Sequence, residues 1–252
     1  MKHLTIIVCW LSACLTAVAQ PPQQFYGEKL EYQLSWSLLP FLKAGEAFLW
    51  CEPDEQGGIV LNFHGYSTGL AKKLYRMNNF SRVTLDGQGS VRQIYHRLTD
   101  QSEEWWLPDY PRQLIYHYLA DCPVDTLPME RNPADALSAI YLLRKHQLGL
   151  GYRLDPEIIG HDSLGRSTWK PVQITVDAVH EEINVLGQKQ QCFVVRINLD
   201  PNDNLFPGGQ IKLWVTADGR QIPVRVETDF NLLGFVPSKV KAHLIRINEK
   251  GD

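Results

Sequence analysis

The chain has 252 residues, with 25 basic and 28 acidic side chains, a formal net charge of −3 and only five cysteines. That length suits one large domain or two small ones. The scattered, slightly acidic charge leaves no footprint for nucleic acid, and the sparse cysteines exclude a scaffold built from disulfides.

In chain order, the first element reads as an export signal. Lys2 precedes an apolar run from Leu4 to Leu15, then Ala17-Val18-Ala19 stands ahead of Gln20-Pro21-Pro22. A basic end, an apolar centre and an A-x-A site describe a secretory signal peptide over 1–19. The run is too short to span a bilayer. The alternative is Leu11-Ser12-Ala13-Cys14, a lipobox-like stretch that would place a lipid on Cys14 and tether the protein to a membrane. Cleavage after Ala19 is preferred, because cleavage before Cys14 leaves an unusually short signal followed by apolar residues. The expected product is one exported β-rich domain over 20–252, periplasmic, with no transmembrane span. Losing Lys2 with the leader takes its net charge from −3 to −4. Cys51, Cys122 and Cys192 then remain, either with one bridge among them or as buried thiols, and no Cys-x-x-Cys pair suggests a metal site.

Strands dominate the chain from Leu30 onward. Leu30, Tyr32, Leu34, Trp36 and Leu38 alternate with polar neighbours, so one face is dry and the other wet. Pro40 ends that run, and 44–52 returns with Ala47, Leu49 and Cys51 in one register. After Gly57-Gly58 come predicted strands at 59–66, 74–85 and 91–98, the last two joined by Asp86-Gly87-Gln88-Gly89. A further pair at 103–107 and 113–120 is broken by Pro108 and Pro111. Past residue 151, strands are expected at 152–159, 172–179, 182–186, 191–199, 211–216, 222–228 and 238–248. Hairpin signals stand at Gly187-Gln188 and at Ala217-Asp218-Gly219-Arg220. The spacing is that of an antiparallel meander without βαβ alternation, which argues against a Rossmann-type fold.

Between the two strand-rich halves lies the one predicted long helix, within Met129–Gly151. Asn132 suits the N-cap and Pro133 the first turn; Asp135 adds negative charge there, and Lys145 and His146 add donors in the last turn. Gly149 and Gly151 offer left-handed stops. Ala136, Leu137, Ala139, Ile140, Tyr141, Leu142 and Leu143 are interrupted only by Ser138 and Arg144, so the helix is expected to be buried. The predicted fold is therefore mainly β. One large antiparallel curved sheet, a half-barrel or open barrel, wraps around one buried central helix.

Four blocks of residues have a family likeness. They are Phe25-x-Gly27-Glu28-x-Leu30-x-Tyr32 with Ala44-Gly45-Glu46-Ala47; Asp135-Ala136-Leu137-Ser138-Ala139-Ile140-Tyr141-x-x-Arg144; Val185-Leu186-Gly187 leading to Cys192; and Leu213-Trp214-Val215-x-x-Asp218-x-Arg220-x-Ile222-Pro223-Val224 with Gly234-x-Val236. In order and spacing they resemble DUF3108, a family of bacterial exported proteins with no established reaction. The resemblance implies an exported β fold, analogous to the curved half-barrels that carry lipoproteins across the periplasm. Analogy of fold does not establish function.

Candidate sites emerge from residue type. Arg144 on an apolar helix calls for a bidentate carboxylate partner, with Glu28 and Glu46 as candidates; the pair would anchor helix to sheet or hold an anion at a cavity mouth. Tyr141, Trp36 and Trp214, with Trp50 and Trp169, could line a cavity for a hydrophobic ligand or form ordinary core. Trp105 and Trp106 are strand neighbours on opposite faces, so one ring could meet an envelope protein partner. No catalytic residue, metal site or cofactor is expected. His64, His96, His117, His146, His161, His180 and His243 show no ligand spacing, and His161-Asp162-Ser163 are consecutive and cannot converge as a triad. Glu103-Glu104 and Glu181-Glu182 diverge across their strands. Asp200, Asn202, Asp203 and Asn204 depart from an EF-hand and read as an Asx-rich turn rather than a Ca²⁺ loop. The expected function is a non-enzymatic exported protein binding a lipid-like or other hydrophobic ligand between sheet and helix. The alternatives are an envelope interaction module and a carbohydrate-acting hydrolase.

Overall fold

Alternation of apolar and polar residues becomes strand through most of the chain. The computed structural model describes residues 25–37, 39–162, 164–199, 210–232 and 236–248; the leader with Cys14, Ser163 and the 200–209 loop lie outside the described residues. The first half is a meander: β1 (Lys29–Trp36), β2 (Leu39–Pro53), β3 (Ile59–Ser67), β4 (Asn78–Leu85), β5 (Val91–Arg97), β6 (Glu103–Asp109), β7 (Leu114–Leu119) and β8 (Cys122–Pro128), each antiparallel to the next. After helix α2 (Ala136–Lys145), the second half holds β9 (Arg153–Leu154), β12 (Gln173–Val176), β13 (Glu181–Val185), β14 (Gln188–Asn198), β15 (Gln210–Thr216), β16 (Pro223–Leu232) and β17 (Val236–Asn248). The hairpin of β10 (Glu157–His161) and β11 (Ser167–Pro171) forms a separate two-stranded sheet.

The halves are joined by long-range pairing. β17 lies antiparallel to β1, with Leu30 opposite Ile247 and Leu34 opposite Ala242. The result is one fifteen-stranded sheet, unclosed, with β8 at one edge and β9 at the other. The segment carrying α2 therefore runs from one edge to the opposite one. Its side chains serve both halves: Leu137 and Tyr141 join the core of the first half, and Leu143 packs with Ile174, Val195 and Leu213 of the second. Burying each such side chain stabilises by roughly 1.5–3 kcal/mol. β14 and β15 are covered on both faces, Val194 and Trp214 on one side, Val195 and Leu213 on the other.

Several expectations are corrected. The helix is not buried all round. Its buried stripe is Leu137, Ser138, Tyr141, Leu143 and Arg144, so the two polar interruptions face inward while Leu142 is 45% exposed. The N-cap is Asp135, not Asn132. Asp135 accepts the Ser138 N–H at 2.8 Å, and the Ser138 hydroxyl accepts the Asp135 N–H at 2.8 Å, a reciprocal capping box. Asn132 is committed elsewhere, accepting from the Tyr110 hydroxyl at 2.8 Å. The helix ends at His146, before either glycine. The predicted strand at 74–85 starts only at Asn78, after a helical turn α1 (Ala71–Leu74). The predicted strand at 152–159 breaks at Pro156 into β9 and β10. β8 and β11 lie outside the predicted strands; Pro123 and Pro128 obscure β8, which tolerates them because it is an edge.

Three family-block positions have a clear backbone role. Gly45 admits no side chain, because a Cβ there would run into the carbonyl oxygen of Tyr66 on β3. Leu186 and Gly187 have φ of 51° and 85°, so the β13–β14 turn sits one residue earlier than the Gly187-Gln188 signal indicates.

Candidate functional site

Inward positions on β5, β6 and β7 are mostly apolar, but at the β8 end they turn polar. Strand register builds this patch. His96 stands opposite Glu104, Trp106 opposite His117, and His117 opposite Asp125. His117 sits between two carboxylates, Nε2 at 2.7 Å from Glu104 and Nδ1 at 3.1 Å from Asp125. From the β10–β11 hairpin, His161 brings Nε2 to 2.8 Å from the same Glu104 oxygen. The Trp106 indole stacks on His117, with ring centroids 5.0 Å apart and planes 8° from parallel, and donates to the Ser167 hydroxyl at 3.2 Å. Asp125 in turn accepts the Ser167 N–H at 2.7 Å. Burial alone would raise the Glu104 carboxyl, but the bonds from His117 and His161 hold it down at about 2. The Glu104 carboxylate raises His161 above its ordinary value, against the opposing effect of burial.

The patch continues into the helix cap. His96 Nε2 lies 2.9 Å from Asp135, and both are almost fully buried. Burial would raise the Asp135 carboxyl, but His96 and the Ser138 bonds outweigh it and bring it below its usual range. Near the other end of α2, Arg144 donates to both oxygens of Glu28, at 2.6 and 2.8 Å. Its guanidinium lies over the Phe25 ring at 4.3 Å and the Tyr141 ring at 5.5 Å. Glu46, the other candidate partner, is on the opposite face, bonded to Lys43 and to the Tyr66 hydroxyl.

The outer face of the first half carries a different surface. Trp50, Phe80, Tyr95 and Trp105 form a ladder of rings with successive centroids 6.2, 5.9 and 5.2 Å apart. The Arg82 and Arg97 guanidiniums lie 5.4 and 5.8 Å from the Phe80 ring. Phe80, Tyr95, Trp105 and the two arginines, together with Gln93 and Glu103, line an open groove of about 410 Å³. A second groove of about 340 Å³ lies between His64, Tyr66 and Arg76.

The structure separates the sequence candidates. Arg144, Glu28 and Tyr141 come together, whereas Trp36 and Trp214 are core residues on β1 and β15. Trp214 bonds Glu181 at 2.6 Å and has Arg225 over its ring at 4.4 Å. Trp106 is buried and Trp105 half-buried on the outer face, so only Trp105 is placed to meet a partner. Cys51, Cys122 and Cys192 are all free, and Cys122 is exposed rather than buried. Sequence reasoning misses the histidine–carboxylate patch. A signal is present: Ile94-x-His96 and Ile115-x-His117 put polar rings on the apolar parity of their strands.

A family model described as a protein of unknown function, DUF3108, matches residues 31–236. The chain belongs to the DUF3108 family. This DUF3108 protein is similar in fold to the β-barrel-like protein of domain of unknown function DUF1849 from Brucella abortus. The two share 10% identity over 88% of this chain and 97% of that one, with a TM-score of 0.54. A second similar structure, with a YmcC-like fold, comes from Bacteroides fragilis NCTC 9343. It is 12% identical over 89% of this chain and 96% of that one, with a TM-score of 0.34. No curated protein matches the DUF3108 chain in sequence. Among its described residues, no helix is long and apolar enough to cross a membrane.

Proposed function

We propose that this DUF3108 protein is a non-enzymatic exported binding protein whose recognition surface is the outer face of β4, β5 and β6. The observation that carries this is the groove walled by Phe80, Tyr95 and Trp105 and flanked by Arg82 and Arg97. Flat rings offer stacking surface, and guanidinium forks suit carboxylate or phosphate oxygens. A ligand presenting both a ring face and anionic groups, such as an acidic envelope sugar, fits that chemistry and a space of about 410 Å³. Burial and, after it, the bond to the Glu103 carboxylate raise the Tyr95 hydroxyl above its ordinary value.

The alternative, a hydrophobic ligand held between helix and sheet, requires space at a seam that Leu137, Tyr141, Phe25 and the Arg144–Glu28 pair occupy. Native mass spectrometry of the untagged protein, gently purified from its own envelope, separates the two. The outer-face reading expects a sugar-mass adduct that is lost on denaturation and absent from Trp105→Ala. An adduct of lipid mass that survives Trp105→Ala would overturn it and return the ligand to the interior. A stoichiometric protein partner would favour the interaction-module reading instead. The same spectrum reads the processed N-terminus, separating cleavage after Ala19 from lipidation at Cys14.

A further inference from the structure

The Glu104–His117–His161 cluster gathers three metal-competent side chains from two separate sheets. One carboxylate oxygen faces two imidazole Nε2 atoms, at 2.7 and 2.8 Å. The ligand atoms of all three residues lie within 4.8 Å of one another. We propose that these three side chains bind a divalent transition-metal ion, with Zn²⁺ the best match, and that the ion staples the β10–β11 hairpin to β6 and β7.

The donor set supports this choice. Two neutral imidazoles and one carboxylate, with a fourth position left open, are a common zinc arrangement. Metal–ligand bonds of about 2.0–2.1 Å place tetrahedral donors about 3.3 Å apart, so the two carboxylate–imidazole spacings need to open by about half an ångström while the two imidazoles stay within 4.8 Å of one another. Hard ions such as Ca²⁺ and Mg²⁺ require more oxygen ligands than the cluster offers.

The surroundings resemble the supporting shell of a metal site. His117 presents its other nitrogen, Nδ1, to Asp125 at 3.1 Å, the carboxylate–histidine relay that orients a ligating ring. Asp125 is itself fixed by the Ser167 N–H on β11. Trp106 stacks on the His117 ring and lies 5.5 Å from that of His161, which fixes both ring planes and shields one side of the cluster. His161 faces the cluster through Nε2, 2.8 Å from Glu104.

The consequence is architectural. Glu104 and His117 belong to adjacent strands near the β8 edge, whereas His161 belongs to the separate hairpin that follows β9 at the opposite edge. An ion shared among them ties the separate hairpin to β6 and β7, reinforcing the backbone bond from Ile159 N–H to Ala134 O at 2.8 Å.

The test uses untagged protein spanning 20–252, stripped with EDTA and dialysed against Zn²⁺, with bound metal measured directly. One equivalent is expected in the wild type, together with a raised Tm and slower amide exchange over 157–171. His161→Ala and Glu104→Gln should each lose that equivalent, while His180→Ala, at an exposed histidine elsewhere, should retain it. Because a variant could fail to fold, Co²⁺ loading of the wild type provides a second readout, in which intense visible d–d bands report four-coordinate binding. No stoichiometric Zn²⁺ in the wild type, weak octahedral-type Co²⁺ bands, or undiminished binding in folded Glu104→Gln would each overturn the proposal.

Discussion

Arg144→Met would remove the cation from a pair that is almost fully enclosed, with 2% of the Arg144 side chain and 9% of the Glu28 side chain exposed. Burial alone would lower the Arg144 pKa, yet the Glu28 contact more than offsets it and raises the value. The variant strands a buried carboxylate and removes a guanidinium from the Phe25 and Tyr141 rings. Breaking a buried pair in this way costs about 3–5 kcal/mol. In a domain of this size each kcal/mol moves Tm by about 2–4 °C, so the expected drop is about 6–20 °C. Urea denaturation followed by tryptophan fluorescence measures the loss as a shift in midpoint at constant slope. Adding Glu28→Leu to the same chain removes the stranded charge, so the double variant should recover most of the loss. A single variant that loses less than about 1 kcal/mol would refute the reasoning, as would a double variant whose loss equals the sum of the two singles.

The buried Asp135 cap is one of the carboxyls on which acid stability depends. Its native pKa lies below the ordinary 3.8, so its contribution is fully present above that value and is lost as pH falls through the lowered native one. Asp135→Asn should flatten the acid limb of the stability profile as pH falls through 3.8 and below, and remove about 1–2 kcal/mol at neutral pH; an acid limb unchanged from wild type would show that the cap is energetically silent. Thiol accessibility should divide by burial. Native protein lacking the leader should react with a thiol reagent at Cys122 alone, and denatured protein at all three cysteines, because burial pushes Cys51 up to about 12 and Cys192 to about 11. Fast native labelling of Cys51 would show that the Tyr141–Arg144 seam opens.

The sequence by itself determined what is local. Period-two alternation from Leu30 to Trp36 needs only neighbours to choose a dry face, and β1 forms there. The Asp86 hairpin was legible because its own carboxylate accepts the N–H groups of Gln88 and Ser90. The partner of Arg144 stayed open between Glu28 and Glu46 in the sequence, and the fold chose between them by parity. Glu28 shares the inward register of Leu30 and Tyr32, whereas Glu46 alternates with Ala47 and Leu49 and so faces outward. Tertiary structure decided what depends on distant pairing. Residues 29–36 lie beside 240–248 because closing that contact buries Leu30 and Leu244 together, and no short window of sequence records such a contact. The helix start moved from Asn132 to Asp135 because Tyr110 and His96 claimed those side chains from across the fold. Glu104, His117 and His161 converge because strand register sets the first two side by side on the inward face and a hairpin from the far edge delivers the third. Their separations in the chain hold no trace of this, since three-dimensional proximity, rather than sequence spacing, brings their donor atoms together.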